Sequence, residues 1–270
     1  MSRAVIGSVD PNPLVAGQGI EKLRDHGIET TVGVLEQECA DLNETFFTYM
    51  KTGLPFVTLK YAQTIDGRIA SSTGHSQWIS SPPSLRFAHR LRARHDAVLV
   101  GIGTIRADDP DLRVRLVRGR NPLRIVVDPS LRIPEDAGIL DNQDTAGTLI
   151  VTGQESAERL APFHERGIET LVVAKDKTGT LDLPALLREL GRRQISSVLV
   201  EGGAGIITSF VKQDLFDRLI IINAPKVLGK GIEAVGDLTI TSMDNTISLR
   251  YERVFRRGDD VIMYLRKEEV

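Results

Sequence analysis

The sequence predicts an α/β protein built on a mixed, mainly parallel sheet with helices on both faces. Three observations lead there. Apolar runs of strand length recur at Ala97-Val-Leu-Val100, Leu123 to Val127, Thr148 to Val151, Thr170 to Ala174, Ser197 to Val200 and Leu219 to Asn223. Segments with helical spacing separate several of them, at Pro82–Arg94, Glu155–Arg166, Pro184–Arg193 and Gly205–Gln213. A strand, a helix and a second strand in that order call for parallel pairing, because a parallel neighbour is reached only through a long crossover. The chain closes differently: Ile247 to Phe255 and Val261 to Arg266 flank Arg257-Gly-Asp259 and read as an antiparallel hairpin.

Taken in order, residues 1–50 open on the apolar Ala4-Val-Ile-Gly7 and the turn Asp10-Pro-Asn-Pro13. A helix over Gly19–His26 is stopped by Gly27, a strand runs from Glu29 to Val34, and Leu42, Phe46, Tyr49 and Met50 give Gln37–Lys51 a helical apolar face. Gly53-Leu-Pro55 ends that helix, so residues 1–54 read as an appendage and 55–270 as the core domain. Val57, Leu59 and Tyr61 alternate with Thr58, Lys60 and Ala62 in the next strand, which Asp66-Gly67 ends. Ser81 is then placed to cap a helix that has Pro82 at its first position.

With 41% hydrophobic and 26% charged residues and a net charge of -2, the composition is that of a soluble globular protein without a nucleic-acid footprint. The single Cys39 excludes an internal disulfide and a cysteine-rich zinc site, which makes a reducing, cytoplasmic setting the expectation. The first residues lack the apolar core of a signal peptide, and no apolar run reaches the length of a membrane span.

Chemistry is expected at the carboxyl ends of the strands. Lys60 is a cation inside a strand pattern, where it needs a partner or a polar cleft; its bland alternative is an edge strand facing water, as a core ring is for Trp78. Two glycine-bearing turns follow apolar runs, Val100-Gly-Ile-Gly-Thr104 and Val200-Glu-Gly-Gly-Ala-Gly205. Glycine lets backbone N–H groups approach a phosphate, and a helix start favours an anion. Position 106 is Arg and position 208 is Thr, so neither turn completes a Rossmann fingerprint. Glu201 is expected to face the cleft. Asp108, Asp109 and Asp111 suit either a hard cation or a turn fixed before Pro110, and the turn is the expectation. Arg92 and Arg115 could share one phosphate. None of the five histidines falls in a nucleophile or metal motif and Ser76 is not in a Gly-x-Ser-x-Gly elbow, a scarcity that fits a reaction carried by a cofactor.

Thr58-Leu-Lys60, Asp66-Gly-Arg68, Gly74-His-Ser-Gln-Trp78, Gly103-Thr104, Ala107-Asp-Asp-Pro110 and Glu201-Gly-Gly203 resemble the C-terminal reductase domain of the bifunctional riboflavin-biosynthesis deaminase/reductase family. The resemblance runs over residues 55–268. It implies a dihydrofolate-reductase-like fold, NADPH as cofactor, and reduction of the ribose of 5-amino-6-(5-phosphoribosylamino)uracil to a ribityl chain. Carried over by motif position, Ser76, Arg92, Leu112, Arg115 and Glu201 would contact the sugar phosphate. Ala62, Trp78, Thr104, Asp108 and the run Gly203, Ala204, Gly205, Ile206, Ile207, Thr208 and Ser209 would contact the nicotinamide nucleotide. Residues 1–54 resemble the tail of the deaminase domain through Asp10-Pro-Asn-Pro-Leu-Val-Ala-Gly17 and Gly33-Val-Leu-Glu36, without the zinc signature, so no metal is expected.

Lys60 and Glu201 are the expected catalytic pair, Lys60 supplying a proton to the ribose ring oxygen or holding that oxygen, and Glu201 binding the pyrimidine or ribose hydroxyls. Ser130 and Arg132 are candidates for the 2′-phosphate of NADPH, with Asp128 opposing it if it points the same way. The alternatives are a reductase acting on the diaminopyrimidinone before deamination, a dihydrofolate-reductase relative, and, from another class, a nucleotide-binding module without catalysis. The expected partner is a small molecule, with no nucleic acid and no membrane. A homodimer is expected too, its seam a bare hairpin edge carrying Val261, Met263 and Leu265.

Overall fold

Ala97, Val98, Leu99 and Val100 have no exposed surface at all, so both faces of their strand are covered, as the unbroken apolar run requires. That strand lies inside a nine-stranded sheet in the computed structural model of the protein, which describes residues 2–177 and 179–268. Met1 and Val270, the outer limits of the expected domains, lie outside the described residues. The chain divides into two compact units, residues 1–56 with 187–196, and residues 57–186 with 197–270.

In the first unit, β1 (Arg3–Ile6) and β2 (Glu29–Val32) pair in parallel through the crossover helix α1 (Gln18–Asp25). The single helix expected over Gln37–Lys51 is two, α2 (Glu36–Leu42) and α3 (Glu44–Thr52), broken at Asn43, whose side chain donates to the Cys39 carbonyl instead of continuing the helix. Gly53 in the left-handed region ends α3. The Tyr49 hydroxyl donates to the Gly191 carbonyl at 3.0 Å.

The second unit carries, in chain order, β3 (Phe56–Thr64), β4 (Arg68–Ser71), α4 (Pro82–Arg94), β5 (Ala97–Gly101), α5 (Ile102–Asp108), β6 (Leu123–Val127), β7 (Thr148–Thr152), α6 (Ala157–Glu165), β8 (Glu169–Val172), α7 (Leu183–Arg192), β9 (Ser197–Glu201), α8 (Ala204–Lys212), β10 (Arg218–Ala224), β11 (Gly231–Glu233), β12 (Leu249–Arg257) and β13 (Asp260–Lys267). The division falls within two of these: Phe56 and Leu187–Arg192 group with the first unit. The sheet order is β12-β13-β10-β3-β9-β5-β6-β7-β8. β5 pairs in parallel with β6 and β9, and so do β6 with β7, β7 with β8, and β10 with β3; β13 lies antiparallel between β10 and β12. The Lys60↔Ile220 and Val98↔Leu199 registers put Lys60 and Ala62 on the face of Ile220 and Ile222, where Phe87 and Leu91 of α4 pack.

Three expectations change. The edge strand at the hairpin end of the sheet is β12, whereas Val261, Met263 and Leu265 lie in β13, paired on both sides, with Leu265 buried. The turn read at Val100–Thr104 is the start of α5, because Ile102 and Ile105 pack inward at helical spacing. β4 and β11 form a separate two-stranded sheet that the short, polar segments did not announce. Ser81 precedes α4 as expected, yet its side chain makes no cap bond and donates to Asp260 at 2.8 Å.

Candidate active site

At the carboxyl ends of β3, β5 and β9 the second unit holds a cavity of about 710 Å³. Its position follows from the topology: here the glycine-bearing connections leave β5 and β9 side by side with the end of β3. On its floor Arg92, near the end of α4, meets Glu201, the last residue of β9, as a fork: Nε donates to Oε1 at 2.7 Å and Nη2 to Oε2 at 3.0 Å. Lys60 Nζ stands 3.6 Å from Glu201 Oε2. All three side chains are nearly enclosed, so each charge depends on the others.

The electrostatics divide the roles. Burial alone would push the Glu201 carboxyl up, but the Arg92 and Lys60 cations, with the Arg92 hydrogen bonds, carry it down to about 2, so it stays ionised. Burial pulls the Lys60 ammonium below its ordinary value, against the attraction of Glu201 and with the help of Arg92. A buried lysine made more acidic in this way is suited to give up a proton. Arg92 is held charged by Glu201 despite its burial, and Nη1 also reaches the Arg113 carbonyl at 3.4 Å.

The start of α5 and the turn at Gly202–Gly203 both border the cavity. Gly202 and Gly203 have φ of 71° and 75°, and a Cβ on Gly203 would sit 2.7 Å from Thr104 Oγ1. That hydroxyl is buried without a hydrogen-bond partner, although buried polar atoms are normally satisfied. A cradle that admits no Cβ beside an orphaned hydroxyl fits a nucleotide cofactor that approaches the backbone closely and supplies the missing partner.

Ser76, Arg92, Leu112, Arg115 and Glu201 all line this cavity, as do Lys60, Ala62, Trp78, Thr104, Asp108, Gly203, Ala204 and Gly205. Ile206, Ile207, Thr208 and Ser209 do not: Ile207 is buried against the core, and Thr208 and Ser209 donate to the Ala204 and Gly205 carbonyls within α8. Trp78 is 68% exposed at the rim, which rules out a core ring. The three aspartates take separate partners: Asp108 accepts from Ser76 at 3.1 Å, Asp109 from Gly138 N–H at 2.9 Å, and Asp111 binds Arg113 and Arg115. Asp108 and Asp109 tie the loop to other segments, and Asp111 alone meets arginines within it. Arg92 is bound to Glu201 through both guanidinium nitrogens of the fork, whereas Arg115, the more exposed of the two arginines, has its guanidinium 3.3 Å from Asp111. Asp128 accepts the Arg132 and Ile133 N–H groups and fixes its own turn. Sequence reasoning missed His89 and Asn121, which hold the Arg115 and Val114 N–H groups; nothing in their local sequence marks them.

The chain matches the family described as the RibD C-terminal domain over residues 55–263. It is 41% identical over 268 residues to the riboflavin biosynthesis protein RibD of Aquifex aeolicus, an alignment covering 99% of this chain and 73% of that protein. Among solved structures it resembles a diaminohydroxyphosphoribosylaminopyrimidine deaminase/5-amino-6-(5-phosphoribosylamino)uracil reductase from Thermotoga maritima at 35% identity and a TM-score of 0.84, covering 99% of this chain and 72% of that one. The Acinetobacter baumannii RibD structure agrees at 31% identity and a TM-score of 0.86, with 99% and 73% covered. With these it shares a dihydrofolate-reductase-like α/β architecture, and the chain belongs to the RibD C-terminal domain family.

Proposed function

We propose that this chain is the reductase of riboflavin biosynthesis that converts the ribose of 5-amino-6-(5-phosphoribosylamino)uracil to a ribityl chain with NADPH. The observation that carries the reading is the enclosed Lys60–Glu201–Arg92 cluster beside the Gly202–Gly203 cradle, one group able to move a proton next to a bed for a nucleotide. Gly203, Ala204, Gly205, Thr104, Ala62, Trp78 and Asp108 would hold the cofactor. Bound there, reduced nicotinamide supplies a hydride. Lys60 Nζ gives its proton to the ribose ring oxygen as the C1′–O bond breaks and the lone pair of the attached amino nitrogen forms a protonated imine at C1′, the carbon to be reduced. Glu201, kept ionised, accepts hydrogen bonds from substrate hydroxyl or amino groups and holds Lys60 in place. Arg115, with Ser76 and Leu112 in the lining of the same cavity, receives the phosphate end.

In this reading residues 1–54 correspond to the C-terminal part of the deaminase domain. Support comes from the alignments, which span nearly the whole chain although the reductase family match begins at residue 55. The working unit is a cytoplasmic homodimer, and the exposed Tyr251 and Val254 on the edge strand β12 support a protein contact there. Among the described residues no helix is long and apolar enough to cross a membrane.

The decisive experiment follows nicotinamide oxidation with the ribosylaminouracil phosphate, its diamino precursor and dihydrofolate, for the native chain and Lys60→Ala. Turnover of the first substrate with NADPH, reduced at least about a hundredfold in Lys60→Ala with binding intact, is expected. Preferred turnover of the diamino compound or of dihydrofolate would overturn the substrate, and near-native turnover of Lys60→Ala would remove Lys60 from the chemistry.

A further inference from the structure

Between α5 and β6 the chain runs through residues 109–122 without helix or strand, yet this stretch supplies Leu112 and Arg115 to the cavity. Its backbone is strained: Asp109 and Leu112 have φ of 39° and 59°, a region that non-glycine residues enter only where the surroundings hold them. Irregular backbone next to a protein interior must also find partners for its N–H groups. Here two successive groups are taken by side chains, one from the far end of the same loop and one from α4. Val114 N–H donates to Asn121 Oδ1 at 2.8 Å, and Arg115 N–H donates to His89 Nδ1 at 3.0 Å.

His89 is buried in α4, one turn before Arg92, and Arg92 reaches the Arg113 carbonyl of the same loop. One helix face therefore grips the loop at residues 113 and 115. The grip needs an imidazole whose Nδ1 is free of a proton, since a protonated Nδ1 would meet the Arg115 N–H donor to donor. Burial, then the nearby Arg92 guanidinium, draws His89 down to about 4 and keeps it neutral. Asn121 is itself anchored, its amide donating to the Thr145 carbonyl at 3.2 Å.

We propose that His89 and Asn121 are positioning residues for substrate binding, fixing the Val114 and Arg115 backbone so that the Arg115 guanidinium meets the phosphate monoester of a sugar phosphate at the mouth of the cavity. Neither touches the ligand; both act through Arg115. The inference rests on the reading of this cavity as a sugar-phosphate site, and the test separates the two.

Ribose 5-phosphate is the probe, titrated calorimetrically into the 270-residue chain, with NADPH titrated in parallel. Arg115→Ala is expected to abolish ribose 5-phosphate binding. His89→Leu is expected to weaken it about tenfold, the scale of one lost hydrogen bond with a stranded donor, and Asn121→Ala by about threefold or more. His89→Asn, whose Oδ1 replaces Nδ1 as acceptor, is expected to restore binding to within about threefold. NADPH affinity should stay within about twofold throughout, which a general loss of structure would not allow. If the native chain ignores ribose 5-phosphate, or Arg115→Ala binds it normally, the sugar-phosphate reading falls and the proposal with it. If Arg115→Ala loses binding while His89→Leu and Asn121→Ala keep it, the positioning role alone is refuted. Parallel loss of NADPH binding, or failure of His89→Asn to rescue, also refutes it. Should His89→Leu not fold, the half-buried Asn121→Ala carries the test.

Discussion

Replacing Glu201 by Gln removes one charge from a cluster of three and leaves the shape almost unchanged. Among the described residues the carboxylate is the anion that pairs with both Arg92 and Lys60, whose side chains are each just 13% exposed. Lys60 can escape by losing its proton, since burial already lowers its pKa and Glu201 is what raises it. Arg92 has no such escape, because a guanidinium keeps its charge. The cost is thus that of one stranded buried cation, about 3 kcal/mol, or a drop of roughly 6–12 °C in Tm for a domain of this size. Turnover falls as well, because a deprotonated Lys60 cannot serve the ring oxygen. The alkaline limb of the pH–rate profile moves to lower pH, and activity at neutral pH drops by about a hundredfold. Thermal unfolding followed by circular dichroism, with nicotinamide oxidation measured across the neutral range, reads both effects. Combining Arg92→Met with Glu201→Leu removes the stranded charge and should unfold at a higher temperature than Glu201→Gln alone. A Tm for Glu201→Gln within about 2 °C of native, with an unmoved alkaline limb, would refute the account of the cluster.

Thr104→Val deletes the orphaned buried hydroxyl, so the free protein should keep its stability or gain up to about 1 kcal/mol, while NADPH binding weakens about tenfold; unchanged affinity by calorimetry would clear Thr104 of a cofactor role. Acid should destabilise the protein in two stages. His89 falls from its ordinary 6.5 to about 4 on folding, so the unfolded chain takes up its proton first; stability is full above pH 6.5 and declines toward pH 4, by about 3 kcal/mol. Glu201, lowered from 4.5 to about 2, contributes above pH 4.5 and its contribution is lost toward pH 2. Urea unfolding of His89→Asn should lose the upper stage only. Sedimentation should give twice 29.7 kDa at micromolar concentration; a mass of one chain would reject the β12 contact.

What the sequence disclosed and withheld follows from the range of the forces. The central strands were legible because Ala97–Val100 and Ser197–Val200 are buried on both faces and must be apolar throughout. α5 was misread because Gly101 and Gly103 look like a turn, whereas the deciding contacts are inward ones made by Ile102 and Ile105. β4 and β11 escaped because each is short and finds its partner some 160 residues away, Arg68 reaching Glu233 across that gap. The site was half legible. Lys60 and Glu201 stand out one at a time as charges in apolar company, but the Arg92 fork that fixes both belongs to the packing of α4 on the sheet. His89 and Asn121 leave no trace in a pattern, since a hydrogen bond to a backbone N–H demands only an acceptor in the right place.

Residues 187–196 fold with the N-terminal unit although they lie deep in the reductase portion of the sequence. There the Tyr49 hydroxyl serves the Gly191 carbonyl from 142 positions away, Phe56 N–H bonds the Ser196 carbonyl at 2.8 Å, and a Cβ on Gly191 would come within 2.0 Å of the Gly53 carbonyl oxygen. Severing the chain between residues 54 and 55, where homology suggests a seam, would strip partners from a segment the shortened protein still needs. Swapping reductase halves between relatives therefore means carrying α3 and the Gly53–Pro55 corner along with residues 187–196, as one heritable block.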